Sequence, residues 1–233
     1  MNTSARLIVV PVLLGLALLG AGCAGNGEDN RTNLRFFNAV TDVSGVDLIV
    51  DLDPFLEDVG YLDGSGYVEY DTSPHFFQVT PSNSLSEIDS LTASLEDNRD
   101  YTYLVFGSAA EADALLLEDD NDPAAGGNFN VRTINVAKTF RSLNVFIVAD
   151  PDQIEDELPT VEGARYKQVS EYRAWRAGSY AVVVADERTG RVLGETPVRE
   201  FKSGDVYTFI LAPTDRGGAG EVQIVVLDDS AGS

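Results

Sequence analysis

From Leu34 onward the chain is a succession of short runs rich in Val, Ile, Phe, Tyr and Leu, broken by turn residues every eight to twelve positions. Runs that short read as strands, and their even spacing selects sheets packed as a sandwich. In Val46 to Asp53 the side chains Val46, Leu48, Val50 and Leu52 alternate with Asp47, Ile49, Asp51 and Asp53. That period of two places one row on a core and turns the acids toward water. Further strands are expected at Leu34 to Val40, Gly66 to Asp71, Phe76 to Thr80, Leu91 to Leu95, Tyr101 to Gly107 and Ala114 to Glu118, with a short helical turn over Pro54 to Gly60.

The second half of the chain repeats the first. Phe37-Asn38-Ala39-Val40 aligns with Ile134-Asn135-Val136-Ala137, and Val46 to Val50 with Leu143 to Ile147, both at an offset of 97. Tyr101 to Phe106 aligns with Tyr207 to Ala212 at 106, and Leu115 to Asp119 with Val225 to Asp229 at 110. A drift of that kind is what loop insertions produce. The fold expected is all-β: two tandem antiparallel Ig-like β-sandwich domains, over residues 34–122 and 127–229, stacked end to end across a short linker.

The N-terminal stretch is of a different kind. Arg6 is followed by Leu7 to Leu19, apolar apart from Pro11 and Gly15. That run is too short to span about 30 Å of hydrocarbon and reads as a signal peptide over residues 1–22, cleaved and outside the fold. Gly20, Ala21 and Gly22 lead into Cys23, the single cysteine, in a pattern that resembles the lipobox of bacterial lipoproteins, with Gly20 standing where Leu is usual. The resemblance implies lipidation at Cys23, a membrane partner through the lipid anchor, and a flexible tether over residues 23–33. Ala24, where Asp would signal inner-membrane retention, implies an outer-membrane lipoprotein facing the periplasm or the cell surface.

The first repeat carries a family likeness. Leu34-Arg35-Phe36-Phe37-Asn38-Ala39, then Val46-Asp47-Leu48-Ile49-Val50-Asp51, then Gly66-Tyr67-Val68-Glu69-Tyr70 and the hairpin to Phe76-Phe77-Gln78-Val79 together resemble the bacterial DUF4397 family. Its members open with a strand ending in Asn-Ala or His-Ala, continue with a Val-Asp-hydrophobic strand, and often occur in tandem behind a lipoprotein signal. The second copy departs at Leu143-Asn144, where the Val-Asp pair is replaced. The resemblance implies a fold and no chemistry.

Charge narrows the partners. The chain carries 16 Lys plus Arg against 38 Asp plus Glu, a net charge of -22, which excludes nucleic acid and disfavours an anionic bilayer surface. Two features invite a site. Arg165, Tyr166, Lys167, Tyr172, Arg173, Trp175, Arg176 and Tyr180 interleave bases with aromatics, and Trp175, Arg173 and Arg176 are the candidate ligand-binding residues, while Tyr166, Tyr172 and Tyr180 read as core. Asp119, Asp120 and Asp122 are candidate calcium ligands at the junction, set against a solvated linker, because hard cations take clustered carboxylates. His75, the single histidine, follows Ser73-Pro74 and reads as a hairpin residue with no nucleophile motif around it. The function expected is a non-catalytic cell-envelope module that binds or spaces, its partner an envelope glycan or protein. The alternatives are an envelope polysaccharide hydrolase and a calcium-stiffened stalk.

Overall fold

The computed structural model describes residues 31–120, 122–214 and 220–230. Cys23, the signal segment and most of the tether lie outside the described residues. Among those described, no helix is long and apolar enough to cross a membrane.

The first half comprises β1 (Arg31–Val40), β2 (Gly45–Val50), β3 (Asp53–Gly60), β4 (Asp63–Gly64), β5 (Val68–Asp71), β6 (Pro74–Pro81), β7 (Asp89–Ser94), β8 (Asp100–Ser108) and β9 (Glu111–Asp119). The second comprises β10 (Asn128–Asn135), β11 (Ser142–Val148), a 3-10 helix (Pro151–Asp156), β12 (Val161–Arg165), β13 (Arg173–Arg176), β14 (Gly178–Asp186), β15 (Val192–Glu195), β16 (Arg199–Phe201), β17 (Val206–Pro213) and β18 (Val222–Asp228). Each half is two sheets. The inner sheets run β4-β1-β8-β9, with β5 also on β1, and β13-β10-β17-β18; the outer sheets run β3-β2-β6-β7 and β12-β11-β14-β15, with β16 also on β14.

The all-β sandwich reading stands, with one difference in pairing. β1 lies parallel to β8, and β10 parallel to β17, while the other described pairs are antiparallel. Pro54 to Gly60 is not a helical turn. It is the body of β3, which returns antiparallel along β2. The turn between them is only Asp51 and Leu52, both at positive φ (53° and 73°), so β2 stops at Val50 and the chain reverses at once. The alternation in Val46 to Asp53 masked that reversal.

Asn38 explains the Asn-Ala motif. Its Nδ2 donates to the carbonyls of Val59 and Gly60 at 2.9 and 3.1 Å, and its Oδ1 accepts from Val40 N at 2.8 Å. Asn135 repeats the arrangement, donating to Ala164 O and accepting from Ala137 N, both at 2.9 Å. Fully buried, each amide ties an inner sheet to the end of an outer-sheet edge strand. A glycine seals the second sandwich at its corner: a Cβ on Gly194 of β15 would lie 1.9 Å from the Val222 carbonyl oxygen of β18.

The two halves do not stack end to end. Their inner sheets pack face to face through Phe37, Ala39, Leu104, Phe106 and Leu117 on one side and Ile134, Val136, Ile210 and Ala212 on the other, giving four layers. The linker is long enough to fold β10 back, and association is favoured because both inner sheets carry an apolar outward row that would otherwise face water.

Beside that apolar layer lies a buried polar cluster with approximate two-fold symmetry. Arg35 donates from Nε to Thr102 Oγ1 and from Nη1 to Asp228 O, both at 2.8 Å, and from Nη2 to Asp229. Arg132 donates from Nε to Thr208 Oγ1 and from Nη1 to Glu118 O, both at 2.8 Å, and from Nη2 to Asp119. Each arginine thus reaches the aspartate of the opposite repeat. Thr102 and Tyr67 donate to Asp119 Oδ2 at 2.5 and 2.6 Å; Thr208 and Tyr172 donate to Asp229 Oδ2 at 2.5 and 2.9 Å. The guanidiniums lie 4.7 Å over Tyr67 and 4.8 Å over Tyr172. Burial pushes the Asp229 carboxyl upward, against the pull of Arg35. The apolar layer drives association, and a fully satisfied ionic cluster of this kind fixes the register.

Candidate functional site

The basic and aromatic residues of the second repeat disperse. Tyr172 is taken up by the inter-repeat cluster, Tyr166 packs edge-on to Phe106 across the repeats at 6.0 Å, and Trp175 and Tyr180 pack against the second sandwich core. On β13, Arg173 and Arg176 are exposed and Trp175 is half-buried; Arg173 donates to Thr160 O at 3.3 Å. Alternation along that edge strand puts Arg173 on the same side as the core-facing Trp175 and Arg176 on the other.

The junction acids separate too. Asp119 is buried between Arg132 and Arg35, whereas Asp120 and Asp122 are exposed, the Asp120 carboxylate accepting from Asp122 N at 3.1 Å. They do not converge as a ligand set, because Asp119 ends β9 with its side chain on the covered face. Among the described residues no group of three or more His, Cys, Asp or Glu could hold a metal ion.

His75 lies between two carboxylates. Its Nδ1 is 2.6 Å from Asp51 Oδ2, and its Nε2 is 3.1 Å from Asp71 Oδ1 and 3.3 Å from Ser73 Oγ. Atom by atom this resembles Ser-His-Asp, but Ser73 Oγ donates to Asp71, so its proton is already committed to a carboxylate. Burial lowers the pKa of His75, and the bond to Asp51 with the charge of Asp71 outweighs it, leaving the imidazole above its ordinary range. With carboxylates beside both ring nitrogens, neither is left free to take a proton from Ser73.

A concavity lies on the outer sheet of the second repeat. Phe146, Val148, Val183 and Ala185 form an apolar outer face, with Ile154 of the 3-10 helix packed over part of it. The uncovered part is a groove of about 700 Å³ floored by Phe146, Ala185 and Ile154, with Asp152, Glu155, Glu157 and Glu195 among its lining residues. The wall exists because twelve residues, 149–160, join β11 to β12, where Asp51 and Leu52 alone join β2 to β3. Val192 and Glu195 also line a second hollow of about 590 Å³, on the far side of β15 against β18. In the first repeat the outward positions of the corresponding strands are Asp47 and Ile49 on β2 and Phe76, Gln78 and Thr80 on β6, a row that mixes polar with apolar side chains.

Sequence reasoning missed the groove and the inter-repeat cluster, and both left signals. Arg35 and Arg132 share the 97-residue offset of Asn38 and Asn135, and the second repeat's insertion is visible as 149–160 with no counterpart.

The repeated asparagine clamp joins one sheet to the other at the motif that carried the family likeness, and the DUF4397 model matches the chain over residues 32–146. That segment belongs to the DUF4397 family. DUF4397 is described as a domain of unknown function, and the match spans the first repeat and enters the second as far as β11. No curated protein matches the chain. Among solved structures, a family CBM26 carbohydrate-binding module from Eubacterium rectale in complex with maltoheptaose aligns at 10% identity and a TM-score of 0.26, covering 86% of this chain and 97% of that one. A streptococcal virulence factor described by its α-glucan binding aligns at 8% identity and a TM-score of 0.26, covering 82% and 97%. Similarity at those scores assigns no ligand to this chain.

Proposed function

We propose that the protein is a non-catalytic binding module of the cell envelope, held to a membrane by lipid on Cys23, that receives its ligand in the groove over Phe146. The observation that carries this reading is the asymmetry of the duplication. The two repeats share their cores, their asparagine clamps and their cluster of arginines and aspartates, yet among the described residues only the second carries a long segment, residues 149–160, that packs against its outer face through Ile154 and walls a groove there. Apolar surface left open beside polar groups is the usual composition of a binding site. The position of His75 between carboxylates supports a binding role over hydrolysis.

Two measurements test the reading. Lipid-free protein, residues 24–233, is expected to co-sediment with isolated outer membranes or peptidoglycan, and Val192→Asp, at a groove lip already 42% exposed, is expected to lose that binding without unfolding. Binding lost instead in Trp175→Ala would move the site to β13. Cys23→Ser is expected to leave the membrane pellet; a variant that stays there overturns the anchor.

A further inference from the structure

The groove's chemistry narrows its occupant. Phe146 is 7% exposed and Ala185 2%, so the bottom is closed and offers no ring face on which a sugar could stack, and the apolar surface a ligand can reach is that of Pro151, Ile154, Pro159 and Val192. Above it stand four carboxylates, Asp152, Glu155, Glu157 and Glu195, all exposed, and no lysine or arginine lines the groove. The nearby Arg191 does not neutralise them, because its Nη2 donates to Gly220 O at 3.0 Å on the other side of β15. Val192, 42% exposed, carries that apolar surface to the lip.

Resting on the reading of this groove as the binding site, we infer that it takes an extended polypeptide segment with alternating basic and apolar side chains. In an extended chain successive side chains point to opposite sides, so one row can lie against Pro151, Ile154, Pro159 and Val192 while the other reaches the carboxylates at the rim. A net charge of -22 adds long-range attraction for such a segment.

The test uses lipid-free protein and fluorescent octapeptides in anisotropy titrations at physiological salt. An alternating Lys-Leu peptide is expected to bind, and alternating Lys-Ser and Glu-Leu peptides to bind far more weakly. Neutralising the rim with Glu155→Gln, Glu157→Gln and Glu195→Gln is expected to weaken the Lys-Leu peptide about tenfold or more, by loss of charge complementarity. Removing the same charge from the first repeat, with Asp53→Asn, Glu57→Gln and Glu96→Gln, is expected to leave affinity within twofold. Equal losses in both variants would mean attraction to net charge alone and would sink the inference. Binding of maltoheptaose or another neutral oligosaccharide, abolished by Val192→Asp and without peptide binding, overturns the peptide while leaving the groove as the site. No binding of any probe or envelope fraction removes both.

Discussion

His75 shows how one residue can be given its charge by its surroundings. Asp51 and Asp71 flank it, and each carboxyl is held below its ordinary value of 3.8, Asp51 first by the Phe76 amide and then by His75, Asp71 first by Ser73 and then by His75. His75 itself lies above its ordinary value of 6.5. A raised histidine contributes stability that is complete below its unfolded value and lost as pH rises through its folded one. Depressed carboxyls contribute stability above their unfolded value and lose it as pH falls. The hairpin should therefore be firmest between the two ordinary values, 3.8 and 6.5, and loosen as pH rises beyond the histidine's folded value. The groups facing the ring are Asp51 from the β2–β3 turn, Asp71 and Tyr70 from β5, and Ser73. Asp51→Asn is expected to lower the His75 midpoint, which NMR of the single imidazole reads directly; an unchanged midpoint would show that the carboxylate is not what charges it. The role of this residue was not legible in the sequence, because Asp51 lies 24 positions away and meets it only through the pairing of β2 with β6.

At the scale of elements, the strands are explained by which of their faces are covered. β2 alternates because one face meets the core and the other meets water. In β1 every residue from Leu34 to Val40 is buried, as is every residue from Tyr101 to Phe106 in β8 and from Val206 to Ala212 in β17. Continuous burial is the mark of a strand covered on both faces, and the unbroken run Phe36-Phe37-Asn38-Ala39-Val40 carries that signal. Strand corners add a sharper constraint at Gly194, whose missing side chain lets β15 cross β18. Gly194→Ala is expected to destabilise the protein by about 1–3 kcal/mol, the usual cost of overpacking. Gly60→Ala, with no atom within 4 Å of its added methyl, should stay within about 0.5 kcal/mol. Equal midpoints for the two variants in chemical denaturation would refute the account of the corner.

The whole molecule behaves, on this geometry, as a dimer of repeats covalently joined. Each repeat presents an equivalent patch to the other, the arginine of one meeting the aspartate of its partner, as in an isologous two-fold interface. Coupling through a shared apolar layer predicts that both repeats unfold in one transition, with calorimetric and van't Hoff enthalpies in agreement. Arg132→Met leaves Asp119 buried without its closest cation and is expected to cost about 3–5 kcal/mol, lowering the midpoint of the entire transition. Two separable transitions, only one of them moved by Arg132→Met, would contradict the coupled architecture.

The amino-acid sequence on its own determined the all-β class, most of the strand positions, the duplication and the family, because alternation and repetition are local properties that a chain cannot hide. Tertiary structure alone decided that the repeats meet face to face, that Asp119 serves an arginine and not a cation, and that one outer face opens as a groove. Those outcomes depend on which surface covers which. Arg35 and Asp229 are 194 residues apart, and only the packing of two inner sheets brings their charges together.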